Sequence, residues 1–417
     1  MPFAVELKCE VCNKTYGLQN WLEDTCGYRL RLVYDREKRA NLVSKIKFQN
    51  NLAISHWKYS QFFPVNDPKY RLTIGEGGTT LVQSKRLADE LGLQNLYFKL
   101  ESGNPSGSFK DRPISVGASV AFENNAEVIS AASSGNAAAA LSSYAAKAGM
   151  KAVVFVPERS SQSKVSQLVT LGATVVRVKG GEDSEGDPSV QLFQAAVKEW
   201  GWTPCPSFGP FNPFQFEGTK SLGYEIIEQL HWEVPDWILC NTGSGGLLSG
   251  TAEGFFDWEE LDWIDSLPKF VAVQPDACDP IVQSFNQNLK PFEFKDKGGF
   301  PDTVAGGLAD PHPWDGDSAL EALYRTNGTG VSVSDKEIMD GQSRLASREG
   351  IFGSPTGVSA IAALIKMVND GQIDPSDTII IPVTDHGLKD PNVLENRFSE
   401  AILCNNNIEE LDSKLIK

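Results

Sequence analysis

The 417-residue chain is short of basic charge: 38 Lys and Arg stand against 54 Asp and Glu, and the formal net charge is −16. A surplus of that sign repels a phosphodiester backbone and no arginine-rich stripe offsets it, so no nucleic-acid partner is expected. Long apolar runs are missing too. No window approaches 18 uncharged apolar residues, and the opening MPFAVELKCE lacks a basic segment followed by an apolar run and a small-residue cleavage site. The expectation is a soluble, cytoplasmic protein with no membrane association. A paired cysteine framework is absent as well: the seven cysteines are odd in number and mostly isolated, which argues for a reducing compartment. Only Cys9, Cys12 and Cys26 are grouped, and Glu23 stands where a second pair would place a cysteine. A three-cysteine site with a carboxylate is chemically possible, but the expectation is a metal-free turn.

What is present describes a folded chain with many tight turns. Apolar residues make up 41%, with 37 Gly and 22 Phe, and the length suggests two or three domains. Residues 1–70 read as a small N-terminal extension holding the cysteine turn, with short alternating stretches at 4–8 and 28–34 and an aromatic stretch at 51–63. From residue 110 onward apolar runs of strand length alternate with helical spacing, the pattern of α/β domains with mostly parallel sheets covered by helices on both faces. A larger α/β domain is expected from 71–125 and 215–417, with a smaller one, 126–214, inserted in the chain. A helix is expected over 81–91, another near 393–403, and an irregular acidic section between 285 and 335.

Four stretches carry chemistry. ESGNPSGSFKDR, residues 101–112, sets Lys110 in a hydroxyl-rich turn before an apolar run. A lysine at a loop-to-helix junction, near the positive helix end and away from water, is easier to deprotonate and can add to an aldehyde. A solvated lysine beside Asp111 and Arg112 would look the same in isolation. NTGSGGLLSG, residues 241–250, is the clearest anion site: Gly243, Gly245 and Gly246 leave amides uncovered, Thr242 and Ser244 add hydroxyls, and a helix follows. Neither GxGxxG nor the lysine of GxxxxGK[ST] is present, so a dinucleotide fingerprint and a triphosphate loop are unsupported. AASSGN, residues 131–136, repeats the logic, with Ser133, Ser134 and Gly135 suited to a carboxylate and Asn136 to an aromatic hydroxyl. In VTDHGLKD, residues 383–390, Thr384 follows a buried run and could meet a ring nitrogen, while His386 reads as a wall residue.

Taken together and in order, GEGGTTL, NPSGSFKDR, SSGN, NTGSGG and TDHGLKDP resemble the fold-type II (tryptophan synthase beta-like) enzymes that use pyridoxal phosphate, and most closely the threonine synthases. The resemblance covers most of the chain, including the N-terminal YGL and LRLVYD segments. It implies pyridoxal 5'-phosphate as cofactor and Lys110 as the Schiff-base lysine and proton shuttle. It implies Asn136 as partner of the phenolate oxygen, Thr242, Gly243, Ser244, Gly245 and Gly246 as the phosphate cup, and Thr384 as partner of the pyridine nitrogen. Ser133, Ser134 and Gly135 would receive the α-carboxylate of a small amino-acid substrate. A homodimer is also implied.

The sequence departs from that family in GPFNPFQFEGTK, residues 209–220. Where the threonine synthases are expected to carry Asn, Ser and Arg for the substrate phosphate, Gly209, Pro210 and Gln215 stand. Gln215 lacks the guanidinium fork that suits a phosphate. The best reading is a lyase converting O-phosphohomoserine and water to threonine and phosphate, with Lys220, Arg112 or a residue of the acidic section supplying charge. The alternatives are β-replacement or β-elimination on phosphoserine, an O-acylated hydroxy amino acid or serine or threonine, and a non-catalytic protein that retains the fold.

Overall fold

The structure is a computed structural model that describes residues 3–18, 29–51, 53–180, 187–293, 301–390, 393 and 401–415. Its strands, in chain order, are β1 (Ala4–Cys9), β2 (Thr15–Tyr16), β3 (Leu30–Tyr34), β4 (Leu81–Gln83), β5 (Asn95–Leu100), β6 (Val128–Ala132), β7 (Lys151–Pro157), β8 (Thr174–Val178), β9 (Thr203–Pro204), β10 (Trp237–Asn241), β11 (Lys269–Pro275), β12 (Thr329–Val333) and β13 (Thr378–Val383). They form three sheets: β2-β1-β3, β12-β11-β10-β13-β5-β4 and β8-β7-β6-β9. The first is antiparallel, the last parallel, and the six-stranded sheet is parallel except where β4 runs against β5. The expected α/β class, with helix-covered, mostly parallel sheets, is what the chain forms.

The central strands explain the architecture. β10 (WILCN) is buried at every position, and so is β13 (TIIIPV) beyond its first residue. A run apolar on both faces must be covered on both faces, which only flanking helices can do in a parallel sheet. Two small elements differ from expectation. Residues 81–83 make the antiparallel edge strand β4 before the helix Arg86–Leu91, and the acidic section contains the helix Gly316–Arg325 and β12. In that helix Ala319, Leu320, Ala322 and Leu323 are buried, a short apolar stripe diluted by the surrounding acids and glycines. Most of the helix expected near 393–403, and Cys26 of the cysteine turn, lie outside the described residues. No helix among the described residues is long and apolar enough to cross a membrane.

Three helices meet near Lys110. Asp111–Glu123, Pro213–Gln229 and Gly246–Glu260 pack side by side, the second against both others. Glycine makes the approach possible: a Cβ on Gly218 would collide with the Arg112 carbonyl, and one on Gly223 with the Thr251 carbonyl. Their N-terminal ends therefore stand together, and these ends bear Lys110, Gln215 and the glycine turn. The N-terminal segment is sewn onto the same helices: Phe3, Phe48, Tyr59 and Phe62 share a core with Leu222, Tyr224, Phe255 and Trp258. Arg29 pairs with Glu253 at 2.6 Å and Arg39 with Asp257 at 2.7 Å.

Behind Lys110 a second buried ionic group locks the first helix. Arg112, fully buried, donates from Nε to Glu101 at 2.7 Å and from Nη2 to Glu225 at 2.7 Å, while Lys99 reaches Glu225 at 2.8 Å. Burial opposes the Glu225 charge, but Arg112 and Lys99 outweigh it and hold the carboxylate far below its ordinary range. Removing Arg112 takes the guanidinium from buried Glu101 and leaves Lys99 as the cation beside Glu225. Arg112→Met is therefore expected to cost about 3–5 kcal/mol, read as a lower urea midpoint than wild type.

Candidate active site

Lys110 is the N-cap of the helix Asp111–Glu123. Its Nζ donates to the Ser207 hydroxyl at 3.0 Å and lies 4.6 Å from the Phe109 ring centre. Burial pushes this amine down to about 8, and the Asp315 and Asp310 carboxylates hold it partly up. A side chain so placed is a free nucleophile within reach of neutral pH. Lys110 opens into a narrow pocket whose walls include Ser207, Gly209, Gln215, Gly246 and Asp315.

The glycine turn forms the helix-start cradle that the sequence predicts. Gly245 has φ +102 and caps the helix Gly246–Glu260. Its missing Cβ would stand 2.6 Å from the Asp315 carbonyl, so glycine is required on both conformational and steric grounds. The amides at such a start suit a phosphate. The Thr242 hydroxyl donates to the Cys240 carbonyl at 2.8 Å. Ser244 gives its carbonyl to the Asp315 amide at 2.8 Å, which fixes the turn against the next helix.

On the smaller sheet, the Ser133 hydroxyl accepts the Gly135 amide at 3.2 Å, and Asn136 begins the helix Asn136–Ala148 with Ser134 beside it. Open space lies where a Gly135 Cβ would point, leaving the approach to this helix start clear. Asn136 Nδ2 donates to Asp385 Oδ2 at 2.8 Å. Thr384 stands just past β13, where its carbonyl accepts the Phe109 amide at 2.9 Å. His386 accepts the Leu388 amide at 3.2 Å and lies edge-on to Phe352.

Gln215, at the position expected to meet the substrate phosphate, holds Ser207. It is 1% exposed, and its Oε1 accepts the Ser207 amide at 3.0 Å, holding Ser207 in a left-handed conformation, φ +70, with its hydroxyl on Lys110. Its Nε2 has no partner among the described residues. The substitute cations are committed elsewhere: Lys220 lies within 3.0 Å of Glu217 and 3.4 Å of Glu253, and Arg112 serves Glu101 and Glu225. Phe208, Phe211 and Trp314 cluster, the Phe211 and Trp314 rings edge-on with centres 4.8 Å apart.

Two carboxylates escaped sequence reading. Asp315 accepts the Gly209 amide at 2.9 Å through Oδ1, while buried Oδ2 has no partner among the described residues. Burial pushes it up to about 6, with Arg29 acting against the shift. Asp385 holds Asn136. Their only sequence signal was position, the first before an amphipathic stripe and the second directly after Thr384.

An amine primed by burial, a glycine-lined helix start for a phosphate and paired amide and hydroxyl groups at strand ends fit a phosphorylated aldehyde that bonds to lysine. The unpaired Gln215 Nε2 and Asp315 Oδ2 mark polar space beside that amine. The class is that of the cofactor-dependent enzymes of amino-acid chemistry. A sequence profile described as pyridoxal-phosphate dependent enzyme matches residues 72–385, and the chain belongs to that family. It is similar to the threonine synthase of Methanocaldococcus jannaschii, 36% identical over 95% of both chains, and to that of Methanosarcina acetivorans, 33% identical over 97% of both. Among solved structures, a fungal L-serine ammonia-lyase from Rhizomucor miehei has the same fold, with TM-score 0.64 at 21% identity over 78% of this chain and 98% of that one. Maize serine racemase gives 0.61 at 20% over 77% and 92%.

Asp315 offers a test of the electrostatics. Its negative charge holds the Lys110 amine up, and the neutral amine exists above its pKa, so cofactor uptake should rise as pH increases through about 8. Asp315→Asn is expected to move that midpoint down by on the order of one pH unit, about 1.4 kcal/mol, followed by absorbance of the bound cofactor against pH.

Proposed function

We propose that this chain is a threonine synthase, converting O-phosphohomoserine and water to threonine and phosphate. The observation that carries the reading is its near end-to-end similarity to two archaeal threonine synthases, at 95% and 97% of its length. The site supports it. Bound pyridoxal phosphate would supply an aldehyde for Lys110 and an electron sink for charge developing at the substrate α-carbon.

The chain's own residues then divide the work. Amides of Gly243 to Gly246 at their helix start would hold the cofactor phosphate, Asn136 would donate to the phenolate oxygen, and Thr384 would meet the ring nitrogen. A hydroxyl there, in place of a carboxylate, would leave the ring less strongly protonated, a setting suited to elimination and replacement. Ser133, Ser134 and the amides around Gly135 receive the α-carboxylate. Lys110 Nζ would take the α-proton and serve as acid and base through loss of phosphate and addition of water. The lowered pKa of its amine suits that role. Ser207, itself held by Gln215, orients the amine.

A second reading rests on the neutral Gln215 and the committed Lys220 and Arg112: elimination or replacement on an O-acylated hydroxy amino acid, serine or threonine. A substrate panel separates the two. With O-phosphohomoserine the expected result is equimolar phosphate and threonine, reduced at least about a thousandfold in Lys110→Ala. Failure of O-phosphohomoserine to react while another member turns over would reject the first reading.

A further inference from the structure

The amide of Asn136 is held by a carboxylate from the opposite sheet. Asn136 begins a helix that follows β6, whereas Asp385 lies two residues past β13. Nδ2 of Asn136 donates to Oδ2 of Asp385 at 2.8 Å. The other oxygen, Oδ1, accepts the Ser354 hydroxyl at 2.6 Å, and the Ser354 oxygen accepts the Gly357 amide at 3.1 Å. Ser354 has a single hydroxyl proton, and it points to Asp385. Asp385 thus receives two donors, the pattern of an ionised carboxylate.

The surroundings are built around that group. Asp385 is 3% exposed, and a Cβ on Gly357 would collide with its Oδ1, so glycine there leaves the slot the carboxylate fills. Burial disfavours its charge while Ser354, Asn136 and Lys389 support it. The backbone of Asp385 bridges to Ser108, two residues before Lys110. A buried carboxylate with two donors, braced on the lysine loop, is an unusually fixed acceptor for a half-buried asparagine.

An acceptor-only partner decides which way an amide stands. Asn136 can meet Asp385 only with its NH2 edge, and one of that nitrogen's two N–H bonds is used in doing so. The second remains, with its direction set. We propose that Asp385 is a positioning residue that fixes the Asn136 amide so that its NH2 edge serves the phenolate oxygen of the cofactor. This rests on the assignment of Asn136 under the proposed function. It makes one loop responsible for both polar partners of the ring: Thr384 directly, and Asn136 through Asp385.

The test uses the full-length protein loaded with pyridoxal phosphate, comparing wild type with Asp385→Ala, Asp385→Asn, Asn136→Ala and the Asp385→Ala/Asn136→Ala double variant. Donation to the phenolate oxygen favours its ionised form, which absorbs at longer wavelength than the protonated form. Asp385→Ala is expected to shift the bound cofactor toward the shorter-wavelength form and to weaken its binding about tenfold. Asp385→Asn keeps an acceptor oxygen for Asn136 and should restore most of both. The double variant should match Asn136→Ala, because Asp385 acts through that amide. An unchanged band ratio in Asp385→Ala, whatever its melting temperature, overturns the positioning role and leaves the cofactor assignment standing. So does a further spectral shift in the double variant. If wild type binds the cofactor and Asn136→Ala leaves its spectrum unchanged, the assignment of Asn136 fails first.

Discussion

The candidate site depends on a backbone seam between two distant stretches of chain. The Phe109 amide donates to the Thr384 carbonyl at 2.9 Å, Ser108 bridges to Asp385, and the His386 amide donates to the Gly107 carbonyl at 3.1 Å. Lys389 adds a side-chain tie to the Ser106 carbonyl at 3.0 Å. These bonds hold the lysine loop against the exit of the strand β13. That strand is central in the six-stranded sheet and buried beyond its first residue, so the loop inherits a rigid footing. Hydrogen bonds buried in this way cost more to lose than they contribute individually, because each freed amide or carbonyl would lack water.

Around the seam the packing of helices does the rest. Gly218 and Gly223 let the helix Pro213–Gln229 approach its two neighbours until backbones touch, which brings three helix starts to one place. The consequence is electrostatic as well as steric. Converging N-terminal ends favour an anion, and burial there disfavours the charge on Lys110. Arg29 and Arg31 of the N-terminal segment pair with Glu253 and Arg39 with Asp257 of the third helix, and Tyr34 donates to Glu217 of the second, so that segment braces the elements that hold Gln215 and the glycine turn.

Much of this site was legible because it is local. A lysine after a glycine-rich turn, an SSGN helix start and a glycine turn after an apolar strand each encode a backbone geometry within a few residues. The α/β class followed from apolar runs such as TIIIPV, which cannot be exposed on either face. What escaped depends on contacts far along the chain. Asp315 becomes a wall of the Lys110 pocket only when the third helix start meets the segment after residue 204, and Asp385 matters only because Asn136 lies across from it. Gln215 was visible as a departure, but its grip on Ser207 was not, since a left-handed serine has no sequence signature. The helix Gly316–Arg325 hid for a simpler reason: its apolar stripe is short and set among acids.

Every role assigned at this site presupposes that Lys110 is the amine that bonds to the cofactor. Reducing the pyridoxal phosphate-loaded protein with borohydride, digesting it and mapping the modified peptide by mass spectrometry tests this most directly. The prediction is a single stable pyridoxyl adduct on Lys110. Stoichiometric modification at another lysine, with Lys110 unmodified, would contradict it.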